Sequence, residues 1–166
     1  MDRRQAIAAE IPRLRRYARA LLGDRGEPDD LVQECLVRAL RRQRQWRRGE
    51  SPRKWLFTIL HNLYVDGVRA TANRPGLVAL DEAATEMHDG DPSAAIDIGR
   101  GLASLPVEQR QVVLLVGLEG LSYAEAADVL GVPIGTIMSR LARGRERLRR
   151  HLDQDEGRRP PLKRIK

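Results

Sequence analysis

Few residues of this chain could carry chemistry, and most of them are poorly spaced for it. The usual metal ligands and nucleophiles occur only as His61, His88, His151 and Cys35, with no CxxC- or HxxxC-like spacing among them. Asp29 and Asp30 stand side by side, but at the start of a helical pattern, where Asp29 is placed to cap the helix and Asp30 favours its positive end. A metal-dependent nuclease would need further carboxylates or histidines beside them. The expectation is therefore no catalytic set, no metal, no cofactor and no enzyme. The lone Cys35 permits no internal disulfide and reads as a small buried hydrophobe. What remains is arginine, concentrated in LSYAEAADVLGVPIGTIMSRLARGRERL, residues 121–148.

That stretch spells two helices and a turn. Ser122 followed by Glu125 is a capping box, each side chain able to satisfy the other's backbone N–H. Gly131 sits where a helix end favours positive φ, and Pro133 opens the next helix without losing a needed donor. A helix-turn-helix is the expected unit. At 100° per residue, Ile134, Ile137, Leu141, Leu148 and Leu152 fall in an arc about 60° wide, which reads as core. Thr136, Ser139, Arg140, Arg143, Arg147 and Arg150 fall in an opposing arc of about 100° that contains no acid. Such a helix fits the DNA major groove, where arginine can hold guanine O6 and N7 bidentately. The absence of lysine suits that task, since the planar guanidinium matches two acceptors at once.

The rest of the chain must position this element. It has 166 residues, 42% hydrophobic and 32% charged, with 4% aromatic, so its cores rest on Leu, Val and Ala. Charge is uneven: residues 1–70 carry +7, residues 71–100 carry −4 and residues 101–166 carry +4. Two basic blocks flanking an acidic stretch suit a polyanionic partner. The Pro-, Gly- and Asp-containing middle, 71–95, reads as a flexible acidic linker. Two small helical domains are expected, at 1–70 and 96–152, with a basic disordered tail at 153–166. No apolar run is long enough to span a membrane, and the arginine-rich first 20 residues lack a signal peptide's apolar core, so a cytoplasmic location is expected.

In the first block, Ile11, Leu14, Tyr17, Ala18, Leu21 and Leu22 predict a helix ending at Gly23. PDDLVQECLVRALRR predicts a second, with Leu31, Val32, Cys35, Leu36, Ala39 and Leu40 inward and Asp30, Gln33, Glu34, Val37 and Arg38 toward solvent. After the basic loop RQWRRGESPRK comes WLFTILHNLYVDGVRA, with Leu56, Ile59, Leu60 and Leu63 inward and Thr58, His61, Asn62, Val65 and Arg69 outward. Aromatic side chains with a cationic rim serve unstacked bases, although Trp55 at a helix start is more often a core anchor and Trp46 could cover the domain's edge. In the second block, Leu102 and Leu105 suit one helix. Pro106 begins another, with Val112, Val113, Leu115, Val116 and Leu118 apolar.

Taken together, DDLVQECLVRAL, PRKWLFTILHNLYVDGVR and LEGLSYAEAADVLGVPIGTIMSRLARGRERLR resemble bacterial extracytoplasmic-function sigma factors, which keep only regions 2 and 4. The resemblance covers about residues 10–70 and 96–152. It implies an all-α fold, a region 2 bundle and a region 4 helix-turn-helix, and an alternative sigma factor that binds core RNA polymerase and directs promoter-specific initiation, for a stress regulon under anti-sigma control. It implies docking on the β′ clamp helices through Asp30, Gln33, Glu34 and Val37. It implies single-stranded −10 recognition by Trp46, Arg47, Arg48, Arg53, Lys54, Trp55, Thr58, His61, Asn62 and Arg69. Duplex −35 recognition would fall to Thr136, Ser139, Arg140, Arg143 and Arg147, with the flank of that unit touching the polymerase β flap. One departure is Gly144, where relatives often carry Ala, at a helix-propensity cost of up to about 1 kcal/mol.

Two rival readings share these features. A conventional helix-turn-helix regulator explains only the second half, and a sigma-like decoy that titrates an anti-sigma factor would lack the DNA-reading arginines. A storage form is also expected. Without polymerase, the domains should close on each other or on an anti-sigma protein through mainly apolar contact, covering Asp30, Gln33, Glu34 and the arginine arc.

Overall fold

Proline and glycine punctuate the chain into helices much as the sequence predicts. The computed structural model describes residues 2–47, 49–73 and 92–157. Among these, helix α1 spans Arg3–Ala9, α2 Ile11–Leu22, α3 Pro28–Arg42 and α4 Pro52–Ala72. The second block holds α5 Pro92–Ser104, α6 Val107–Val112, a π-helical turn Val113–Leu118, α7 Tyr123–Leu130 and α8 Ile134–Glu156. No strand occurs among the described residues, so the fold is all-α. Helix α1 is additional to the sequence reading; it packs Ala6 and Ile7 into the core. Both ends of the expected linker are helical, because α4 runs to Ala72 and α5 begins at Pro92. Most of that linker and the end of the basic tail lie outside the described residues.

The local signals act as expected at most ends. Gly23 closes α2 with φ 53°, and Gly131 closes α7 in the left-handed region with φ 66°. Ser122 Oγ accepts from Glu125 N at 3.1 Å while Ser122 N donates to the Glu125 carboxylate at 2.9 Å. At α3 the expectation fails. Glu27 is the residue before the helix and Pro28 its first, so Asp29 lies in the first turn and caps nothing. Its carboxylate instead stands 3.9 Å from Arg15 and 3.7 Å from Arg19. Pro28 decides this, since the first helical position tolerates a missing N–H, and the cap moves two residues back from Asp29 to Glu27.

In the first block α2, α3 and α4 bury Leu14, Tyr17, Leu21, Val32, Cys35, Leu56, Phe57 and Leu60. Tyr17 meets Phe57 edge to face at 5.1 Å. The Cys35 thiol donates to Leu56 O at 3.5 Å, and burial pushes its pKa up to about 12, which fits the reading of an inert core cysteine. Leu40 departs from expectation: it is exposed beside Val37 on the outer rim of α3.

In the second block α8 buries Ile137 and Leu141, and Gly144 explains how it sits so close to its neighbours. A Cβ there would lie 2.7 Å from Val113 Cγ2 and 3.4 Å from Gln109 Cβ. Gly144 is therefore a point of close helix approach rather than a weakness in the helix. Ile134, expected in the core arc, is 49% exposed. It occupies the first turn, ahead of the place where α6 and the π turn cover the helix. A single buried apolar cluster runs through both blocks, from Ile7 to Leu141. The two halves are thus packed on each other.

Candidate nucleic-acid and polymerase interfaces

The seam between the halves is built around a carboxylate that periodicity alone does not place. Within Val113–Leu118 the backbone widens, with Glu119 N donating to Leu114 O at 2.9 Å and Leu121 N to Leu115 O at 3.0 Å. The wider turn inserts residues into the helical register and carries Glu119 inward, where its side chain is fully buried. Arg16 of α2 donates from Nε and Nη2 to the two Glu119 oxygens at 3.1 and 3.0 Å. Arg13 stands 3.7 Å from the same carboxylate. Arg53 of α4 donates to Glu119 O at 3.3 Å and to Glu10 at 3.1 Å. The bond to Glu119 raises the Arg16 pKa.

A second buried arginine staples the other end of the seam. Arg110, 7% exposed, donates to Leu102 O at 2.8 Å, Ala103 O at 2.9 Å and Leu105 O at 3.0 Å, and across the seam to Leu21 O at 2.9 Å. These carbonyls lie at the ends of α5 and α2, where helical partners run out, although Leu102 O also accepts from Leu105 N at 3.2 Å, and a guanidinium can satisfy several at a time. Burial lowers its pKa from the usual arginine value. Sequence reading passed over both Glu119 and Arg110, since their partners lie in distant segments.

The residues expected at the −10 element are partly drawn into this seam. Lys54 pairs with Asp128 of α7 at 2.7 Å, and the pairing raises its pKa. Thr58 is half-buried, its hydroxyl donating to Lys54 O at 2.9 Å. His61 is half-buried and desolvation lowers its pKa. Together with Arg69 it lines a cleft of about 400 Å³ that also takes Glu108 and Arg140 from the other half. Trp46 and Trp55 stack at 5.9 Å, and Trp46 Nε1 donates to Glu50 O at 2.9 Å, so both rings brace the loop between α3 and α4. Trp55 also packs against the core. Asn62, Arg69 and Arg47 stand exposed, while Arg48 lies outside the described residues.

The other two expected surfaces face solvent. Asp30, Gln33, Glu34 and Val37 form an exposed rim on α3, where Glu34 pairs with Arg38 at 3.1 Å on the same helix. On α8, Ser139, Arg143 and Arg147 are exposed and Thr136 half-buried. Arg140 turns toward α6, 3.8 Å from Glu108. Arg150 is held by Glu146 at 2.9 Å. The expected closure is present, then, but it covers a different surface: neither the α3 rim nor Arg143 and Arg147 are masked, while Lys54, Thr58 and His61 of the −10 set and Thr136 and Arg140 of the −35 set are half-buried. The seam joins the apolar contact expected, a buried cluster that runs through both halves, with buried charge that was not expected.

Two families match the chain, the Sigma2 domain of PhyR over residues 7–61 and Sigma-70, region 4 over residues 96–148. The ECF RNA polymerase sigma factor EcfG of Rhodopseudomonas palustris (strain TIE-1) is 36% identical over 148 residues, covering 87% of this chain and 82% of EcfG. The chain belongs to the ECF RNA polymerase sigma factors. This sigma factor is also 37% identical over 144 residues to the ECF sigma factor SigC of Mycobacterium tuberculosis (strain CDC 1551 / Oshkosh), covering 82% of the chain and 76% of SigC. Among solved structures, the sigma factor RpoE from Bartonella quintana, in complex with the anti-sigma factor NepR, superimposes with a TM-score of 0.74 at 32% identity. That likeness covers 90% of this chain and 96% of RpoE. The protein thus serves core RNA polymerase in promoter-specific initiation. A conventional helix-turn-helix regulator would leave residues 7–61 without a counterpart. Among the described residues no helix is long and apolar enough to cross a membrane.

Proposed function

We propose that the exposed surfaces divide the work of initiation. The α3 rim of Asp30, Gln33, Glu34 and Val37 docks on the β′ clamp helices of core polymerase. Trp46, Arg47, Arg48, Arg53, Lys54, Trp55, Thr58, His61, Asn62 and Arg69 serve the melted −10 strand. The start of α8, with Thr136, Ser139, Arg140, Arg143 and Arg147, enters the −35 major groove, and its domain meets the β flap. On this reading residues 1–70 and 96–152 are the two functional domains, the protein is a cytoplasmic regulator without catalytic activity, and its regulon answers stress. An anti-sigma factor restrains it, as suggested by the complex in which the related RpoE was solved.

The observation that carries the assignment is that Arg143 and Arg147 are exposed and have no ion-pair partner among the described residues, whereas Arg16, Arg53 and Arg110 are engaged. A guanidinium left without an internal partner is available to phosphate or guanine. The packed arrangement is then a state that must open. The −10 and −35 elements are separated by on the order of 80 Å of duplex at about 3.4 Å per base pair, yet His61 and Arg140 line one cleft.

The test is transcription in vitro with core polymerase on a genomic library, mapping start sites with and without the protein, followed by Arg143→Ala and Asn62→Ala. Arg143→Ala should relax selectivity at one −35 position by about 1–3 kcal/mol, and Asn62→Ala should act only at the −10 element. Equal losses on every promoter variant would refute the division.

A further inference from the structure

The outer face of α8 carries apolar side chains where a solvated helix would carry polar ones. Ile134 is 49% and Met138 54% exposed, and Ala142, one more turn along, is exposed too. Spaced by four, these three form a single ridge along the helix. The neighbouring ridge is Gly135, Ser139, Arg143 and Arg147, all exposed. Gly135 has open space around its Cα, with nothing within 4 Å of a Cβ placed there. The Ser139 hydroxyl is turned back onto Thr136 O at 3.1 Å, which leaves its lone pairs as acceptors. An apolar strip therefore runs beside a polar and cationic one on the helix that follows the turn.

Resting on the −35 reading above, we propose that Ile134 and Met138 are specificity-determining residues that contact the 5-methyl groups of thymine in the major groove. The cationic ridge favours a polyanion over an apolar protein surface. In that groove the thymine methyl is the apolar mark of a base pair, beside the donors and acceptors that distinguish the others. Arg143 and Arg147 take guanine or phosphate on one ridge while Met138, flexible and polarizable, packs on a methyl from the other. Ile134, at the start of the helix, lies where the recognition helix brings its first residues to the base edges. Gly135 between them lets the backbone approach closely.

The experiment is initiation in vitro with core polymerase and the full chain on templates selected from a randomised −35 element. Deoxyuridine then replaces each −35 thymine on either strand, which removes the methyl and leaves every hydrogen-bonding group in place. Thymine should be enriched at one or two positions. Deoxyuridine there should lower initiation about threefold to fivefold, the effect of one buried methyl. In Met138→Ala or Ile134→Ala that penalty should vanish at the matching position. No enriched thymine, or a deoxyuridine penalty unchanged in both variants, would overturn the proposal while leaving the arginine assignment standing. Indifference to every −35 base, with Arg143→Ala equally silent, would overturn the −35 reading itself. A loss of polymerase binding by Met138→Ala, with no dependence on thymine, would assign the ridge to polymerase and overturn the proposal.

Discussion

The seam between the halves and the outer face of α8 are both built on arginine, and their contrast shows what the residue does in each. At the seam Arg16 meets a fully buried carboxylate and Arg110 meets four backbone carbonyls. On α8, Arg143 and Arg147 meet no acid among the described residues. Inside, the guanidinium fixes a geometry, because its rigid fork of donors must be matched before water is removed. Outside, the same fork faces solvent. Residue type alone does not separate the two roles; partnership does.

The strongest way to break this contrast is to remove Arg110. Arg110→Met keeps an unbranched apolar stem but leaves several buried carbonyls without donors, and stability should fall by about 3 kcal/mol or more, read as a lower urea midpoint. An unchanged midpoint would mean that the carbonyls find water, and that the seam does not depend on this arginine.

Glu119 comes next. Glu119→Gln keeps the shape but removes the charge facing Arg13 and Arg16, which are themselves partly exposed. About 1–3 kcal/mol of seam stability should be lost, with the halves moving apart in paired spin-label distances or scattering. If the distance distribution is unchanged, the apolar cluster alone holds the closed arrangement.

The smallest effect is at Gly144 and sharpens the contrast from the α8 side. Helix propensity predicts a gain of up to about 1 kcal/mol for Gly144→Ala. The contact with Val113, a β-branched side chain with few alternative rotamers, predicts a loss of about 1–3 kcal/mol from overpacking. Net destabilisation by about 1 kcal/mol is expected in thermal unfolding. A net gain would show that α8 can move away from the π turn, and that the helix is less firmly seated than its packing indicates.

Much of the fold was legible because its signals are local. The capping box of Ser122 and Glu125, the glycine ends at Gly23 and Gly131, and the buried faces of α2 and α4 each depend on residues a few positions apart. Errors arose where two local rules competed or where burial stopped along a helix. Pro28 took the helix start from Asp29, and Ile134 and Leu40 fall on apolar faces that no neighbouring element covers. The α3 rim and the exposed arginines of α8 were likewise visible as helical faces. Which of the residues proposed for the −10 element would be engaged was not, since Lys54 is held by Asp128 and Arg53 by Glu10 and the backbone of Glu119.

By itself, then, the sequence determined most of the helices, their faces and the exposed arginines of α8, because periodicity and capping act over one or two turns. Only the tertiary structure decided that Glu119 would be buried and that Arg16, 103 residues away, would meet it. Nothing in either segment announces the other. A π-helical turn had to rotate the carboxylate inward, and the folded halves had to remove water from it, before that charge pair could become part of the structure.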